Sequence, residues 1–188
     1  MNNNDYKKKY IKYKNKYLHS KLNQKDKLSQ SNNYIKAIAF FNNEDIKGCV
    51  QFEEVDNNQV LVKVNLQGFI PNSIHGFHVH EYGDLSDGCN SMCAHFNPHN
   101  KEHGGREDIE RHVGDLGNLE ADDEGKVNIE FLDNFIKLRG DIENIIGRGL
   151  IIHEDKDDCG KGNYPDSKIT GHSGKRIACS IIGYSSVY

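Results

Sequence analysis

No run of apolar residues approaches twenty, and the mean hydropathy is -0.76. That shortage speaks against a helical membrane span. The N-terminus lacks the apolar core of a secretory signal, since Tyr6 to Lys16 alternates lysine with tyrosine. A cytoplasmic, non-secreted protein with reduced thiols is therefore expected. Cys-x-x-Cys spacing is missing too. Cys89 and Cys93 stand too far apart for it, and no second pair completes a zinc ribbon, which makes thiolate metal binding the weaker reading. Five cysteines are an odd number, so at least one thiol stays outside any bridge within the chain.

The two signs of charge are unevenly divided along the chain. Residues 1–33 hold nine lysines against two aspartates, a balance of +7, so the net -4 leaves -11 on the remainder. A basic low-complexity leader of Lys, Asn and Tyr has little to bury and is expected to be disordered. An acidic body argues against a nucleic-acid-binding domain. As a solvated tail the leader needs no function; as an address it would contact an acidic surface or partner.

From Tyr34 the texture changes to short strands punctuated by Asn, Asp and Gly. Strands are expected at Tyr34–Phe41, Asp45–Glu54, Gln59–Gln67, His75–Glu81, Lys126–Phe131, Phe135–Leu138, Gly149–Glu154 and Arg176–Gly183. Eight such strands without a convincing amphipathic helix predict an all-β sandwich or barrel over residues 34–188. Two long aperiodic stretches, Tyr82–Leu119 and Asp155–Lys175, need a function to justify their length.

That function is suggested by His75-Gly-Phe-His-Val-His-Glu-Tyr-Gly-Asp84. On a strand, side chains alternate between faces, so His78 and His80 point the same way, roughly 6.5–7 Å apart. His75 has the opposite parity and turns away. One histidine alone would be read as an ordinary polar residue. The set is different: His95, His103, His112, Asp115 and His153 follow, a supply of imidazole plus one carboxylate that suits zinc and copper. Metal can order a loop that has no core of its own.

Nine segments carry a family resemblance. They are Gly76-Phe-His-Val-His-Glu81, His95-Phe-Asn-Pro98, His103-Gly-Gly105, Arg111-His-Val-Gly-Asp-Leu-Gly117, Ile145-Ile-Gly-Arg148, His153, Gly160-Lys-Gly162, Thr170-Gly171 and Arg176-Ile-Ala-Cys179. In this order and spacing they resemble copper–zinc superoxide dismutase of the eukaryotic type, over the chain from about Tyr34 onward. The resemblance implies an eight-stranded Greek-key sandwich of immunoglobulin-like type with two long functional loops. It implies copper held by His78, His80, His95 and His153, and zinc held by His95, His103, His112 and Asp115, with His95 bridging. Asp157 matches an aspartate that hydrogen-bonds one histidine of each metal. Gly76 and Gly171 shape loop and channel, and His75 is a structural hydrogen-bonder. Cys89 and Cys179 match a disulfide pair, which leaves Cys49, Cys93 and Cys159 free.

The activity implied is conversion of two superoxide anions to O2 and hydrogen peroxide, with His95 and Arg176 as the catalytic residues. Three positions depart from the family's usual pattern: Asp155 stands where lysine is common, Tyr164-Pro165-Asp166 where adjacent acids are common, and His172 where asparagine is usual. The Ile145-Ile146-Gly147 turn and the C-terminal strand resemble a dimer-forming surface, so a symmetric homodimer is implied, and a copper chaperone is the partner that would load it. The leader's bias resembles leaders on proteins of giant DNA viruses, which would place the chain in host cytoplasm and the virion. Two other readings compete: a copper-storing module on the same fold, and an interaction protein whose working part is the tail.

Overall fold

The computed structural model describes residues 34–56 and 59–186. The leader therefore lies outside the described residues. Strand-forming, β-branched and aromatic residues between Asn and Asp turns give β1 (Lys36–Asn42), β2 (Lys47–Asp56), β3 (Gln59–Gln67), β4 (Ile74–His80), β5 (Asp115–Glu120), β6 (Lys126–Asp133), β7 (Gly149–His153) and β8 (Arg176–Ile181), followed by a stub, β9 (Gly183–Tyr184). Among the described residues the helical content is one 3-10 turn, Asn90–Met92, and one short helix, α1 (Ser167–Thr170). No helix among the described residues is long and apolar enough to cross a membrane.

All strand pairings among the described residues are antiparallel. One sheet runs β6-β3-β2-β1-β9 and the other β5-β4-β7-β8. The β3–β6 and β4–β7 neighbours are out of sequence order, which is the Greek-key crossover of a two-layer sandwich. Inward side chains of both layers make the core: Phe41, Phe52, Val62 and Leu66 from the first sheet, Phe77, Val79, Leu150 and Ile152 from the second. Burial of each large apolar side chain contributes roughly 1.5–3 kcal/mol.

Three expectations need correction. Phe135–Leu138 is not a strand; only Lys137 makes an isolated bridge, to Asn144, although Ile136 and Leu138 are core residues. Asp115–Glu120 is a strand inside a stretch read as loop. Its burial does not alternate, because Asp115 and Gly117 are as buried as Leu116, so no period-2 signal reaches the sequence. The last expected strand is also divided. Ile182 is a buried core residue at the break, after which the chain leaves one sheet and pairs with β1 of the other.

Candidate metal centre

Strand β4 carries the pattern that builds the site. Phe77 and Val79 enter the core, so His78 and His80 project from the other face of the sheet, beneath the long segments 81–114 and 154–175. His95 reaches them through a bridge between His80 and His95. His153 ends β7, beside a register shift at Ile152/His153 that re-aims it. Ring centroids lie 4.0 Å apart for His78–His95, 4.9 Å for His78–His153 and 5.0 Å for His80–His95.

One nitrogen of each ring is anchored. His78 Nε2 meets Asp157 Oδ2 at 2.8 Å, His80 Nδ1 the Cys93 carbonyl at 2.9 Å, His95 Nδ1 Asp115 Oδ1 at 2.9 Å, and His153 Nδ1 the Gly174 carbonyl at 3.3 Å. The other nitrogen of each (His78 Nδ1, His80 Nε2, His95 Nε2, His153 Nε2) is buried without a hydrogen-bond partner. A buried nitrogen left so costs about 1–3 kcal/mol. Four of them, with ligand atoms within 4.8 Å of one another, fit a shared cation.

A second group gathers on Asp115. His95, His103 and His112 present Nδ1 to its Oδ1 at 2.9, 3.0 and 3.1 Å. The edge of a tetrahedron with metal–ligand bonds of about 2.0–2.1 Å is about 3.3 Å, so this spacing suits a closed zinc site. His103 Nδ1 lacks hydrogen-bond geometry towards Asp115 despite its closeness, which again favours an ion between them. His78 Nδ1 also lies within 4.8 Å of the His95, His103 and Asp115 ligand atoms, so the two groups adjoin.

Electrostatics keeps His80, His95 and His153 of the first group neutral and the Asp115 carboxylate of the second anionic. Burial, then the neighbouring imidazoles, holds His80 and His95 well below the usual histidine range, and His153 down to about 3. Neutral rings with free lone pairs are what a cation needs. Burial opposes the charge of His103 as well, but the Asp115 and Asp157 carboxylates overcome it and raise the ring to about 9. Burial likewise works against the Asp115 anion, and its three imidazole neighbours outweigh that, holding the carboxyl far below the ordinary range.

Asp157 ties the groups together. Its Oδ2 meets His78 Nε2 and its Oδ1 meets His103 Nε2, both at 2.8 Å. Asn118 clamps the backbone of Asp157 from both sides, donating to its carbonyl at 2.9 Å and accepting from its N–H at 2.8 Å. A Cβ on Gly171 would fall 1.9 Å from Asp157 Oδ1, and its φ of +67° is left-handed, so glycine is required there. His75 bridges Ser73 and the His153 carbonyl at 2.7 Å each, outside both metal groups.

Above the first group lies a cavity of about 230 Å³, lined by His80, His95, His153, Asp155, His172 and Arg176 among others. Arg176 donates to the carbonyls of Cys89 at 2.6 Å, Asn90 at 3.2 Å and Cys93, which leaves its Nε–H and an Nη2–H for a ligand. The disulfide joins Cys89 to Cys179, and Cys49, Cys93 and Cys159 are free. The structure gathers His78, His80, His95 and His153 in one group and His95, His103 and Asp115 in the other, where His78 rather than His112 supplies the fourth ligand atom within 4.8 Å; His112 adjoins through Asp115 at 3.1 Å. The Cys93 and Gly174 carbonyls and Asn118 were not foreseen. Backbone acceptors leave no residue-type signal, and Asn118 had only its place beside the Arg111–Gly117 motif.

An antiparallel Greek-key sandwich with two adjoining ligand groups, one all imidazole and one completed by a carboxylate, defines a β-sandwich protein that holds two transition-metal ions. Residues 46–182 match the family model described as copper/zinc superoxide dismutase. The chain is 53% identical over 140 residues to a copper–zinc superoxide dismutase of Paramecium bursaria Chlorella virus 1, covering 74% of each. It is 49% identical over 156 residues to an extracellular copper–zinc superoxide dismutase of Drosophila melanogaster, covering 79% of this chain and 85% of that one. A crystal structure of the clock protein EA4 superposes with a TM-score of 0.78 at 44% identity, covering 83% of this chain and 98% of the other. The chain belongs to the copper/zinc superoxide dismutase family.

Proposed function

We propose that residues 34–188 form a superoxide dismutase domain with copper on His78, His80, His95 and His153 and zinc on His95, His103, His112 and Asp115. The four buried, unpartnered imidazole nitrogens support this most directly. When bound, copper supplies one-electron exchange with superoxide and zinc a fixed positive charge. The chain's own part is to admit, hold and protonate. Arg176 offers two N–H donors to a small anion above the first ligand group. His95, with Nδ1 on the Asp115 side, has Nε2 on the cavity side as the atom that takes and releases a proton. The cavity of about 230 Å³ has room for a small anion. Metal content and superoxide consumption measured on one purified sample test the assignment. One copper and one zinc per chain with dismutation are expected; both metals bound without dismutation would favour storage.

The same proposal includes a homodimer. Phe40, Tyr82, Ile181 and Tyr184 are large, apolar and exposed. They lie on adjoining segments: Ser180 Oγ donates to the Phe40 carbonyl at 2.8 Å, and a Cβ on Gly83 would touch Ile181. The Ile145–Arg148 turn is bonded to Ile182 through Gly147 N and Arg148 O. Sedimentation at twice the chain mass is expected, and Phe40→Glu should shift it to one. A copper chaperone as the loading partner, a leader contact with an acidic surface, and a host-cytoplasmic location belong to this reading through resemblance alone.

A further inference from the structure

The segment between β7 and β8 is built on the four residues of α1. So short a helix does not hold by its own hydrogen bonds. It nevertheless braces both ligand groups. Its Lys168 carbonyl accepts the His103 N–H at 3.0 Å, and the Gly171 that caps it packs on Asp157 and accepts the Asp158 N–H at 2.8 Å. Three residues further on, the Gly174 carbonyl anchors His153 Nδ1 at 3.3 Å, the longest of the four imidazole anchors in the first group.

From Gly171 to Gly174 the backbone is left-handed at three positions, Gly171 (φ +67°), His172 (φ +50°) and Gly174 (φ +74°). Glycine takes that conformation freely and histidine rarely. Side chains flanking the helix supply the restraint. His172 Nδ1 lies 2.8 Å from Asp166 Oδ1, and its ring stacks on Tyr164 with centroids 3.6 Å apart and 8° between the planes. Tyr164 and Asp166 precede α1 and His172 follows it, so together they close the two ends of the helix on each other. Pro165 fits this closure. Its fixed φ suits the second position of the turn in which the Tyr164 carbonyl accepts the Ser167 N–H at 3.1 Å. Tyr164-Pro165-Asp166 and His172 are also the places where this chain departs from the family's usual pattern.

We propose that Tyr164, Asp166 and His172 form a clasp that positions His153, holding α1 and the turn after it so that the Gly174 carbonyl stays on His153 Nδ1. The three are positioning residues, and their role rests on the ligand assignment above. The path from clasp to ligand is short. His172 stands two residues before Gly174, and the Ser173 between them accepts the Asp155 N–H at 2.9 Å, which fastens the turn to the residues that follow His153. A stacked aromatic pair shifts an equilibrium about two- to tenfold. Losing it should therefore loosen the copper group by a comparable factor.

The test uses the full chain loaded with copper and zinc, as wild type, Tyr164→Ala, Tyr164→Phe, His172→Gly and the double variant Tyr164→Ala/His172→Gly. Glycine takes the positive φ at position 172 without strain, so a loss there comes from the clasp and not from the backbone. Three quantities are measured. They are the rate at which a chelator withdraws copper, the visible and electron paramagnetic spectra of the Cu(II) centre, and amide exchange at Asp155 and Asp158, whose N–H groups bond the Ser173 and Gly171 carbonyls. Tyr164→Ala and His172→Gly are each expected to release copper about two- to tenfold faster, with altered spectra and faster exchange. The double variant should lose no more than His172→Gly alone, where the stack is already gone. Tyr164→Phe keeps the ring and should match the wild type. Wild-type release, spectra and exchange in both single variants overturn the proposal. So does a loss that Tyr164→Phe shares, or a further loss in the double variant. If the wild type holds copper without dismutating superoxide, or holds none, the functional reading has failed, while amide exchange still decides the clasp.

Discussion

Replacing Asp157 by asparagine isolates the one side chain that touches both ligand groups. The aspartate receives His78 Nε2 and His103 Nε2 at 2.8 Å each, and neither imidazole nor the carboxylate is exposed. Asparagine keeps one oxygen acceptor but turns an NH2 towards the second imidazole, whose Nε2–H is itself a donor. One buried, charge-assisted bond is lost, worth about 1.5–3 kcal/mol. The freed ring can rotate or adopt the other tautomer, and loss of such a support typically weakens metal binding about 10–100-fold. Because His78 belongs to the copper group and His103 to the zinc group, both affinities are expected to fall. Chelator competition, run separately for each metal, measures this. The metal-free variant offers a second readout: His103, raised to about 9 with Asp157 as one of its two carboxylate partners, should titrate at lower pH. Unchanged affinity for both metals would falsify the bridging role.

Arg176→Ala should lower kcat/KM several-fold with copper content unchanged, and it should cost about 1–3 kcal/mol of stability because three loop carbonyls lose their donor; stopped-flow decay of superoxide and a denaturation curve check the two parts. Cys89→Ser opens a bridge between residues separated by 90 in sequence, for which the loop-closure argument gives about 4–5 kcal/mol of lost stability; a loss under about 1 kcal/mol would contradict it. The metal-free protein should weaken in acid. His153 is held near 3 in the fold against about 6.5 unfolded, so between those values the unfolded chain binds a proton that the fold refuses. Stability then falls by about 1.4 kcal/mol per pH unit for each such imidazole, with His80 and His95 shifted in the same direction. His103 has the opposite sign: its contribution is complete below about 6.5 and fades as pH rises towards about 9. Denaturation across pH should show a maximum near neutrality, and a flat profile from about pH 6.5 to 4 would refute this account.

Strand alternation around Phe77-His-Val-His80 was legible without coordinates, because a period of two follows from backbone geometry alone. The supply of ligands at His95, His103, His112, Asp115 and His153, and the β class with its two long loops, were equally open to reading. Which segments lie side by side was not. Asp115–Glu120 hid as a strand because both its faces are covered once the loops close over it. Phe135–Leu138 looked like one because Ile136 and Leu138 are buried, yet its backbone finds no ladder. Residue types also could not reveal that Cys93 and Gly174 fix two imidazoles through carbonyls, or that Asn118 holds Asp157. Nor could they show Tyr164 and Asp166 holding His172 at the cavity rim. Composition and spacing determine which chemistry is available; only the packed chain sets the distances and desolvation that leave four imidazole nitrogens facing one point without a partner.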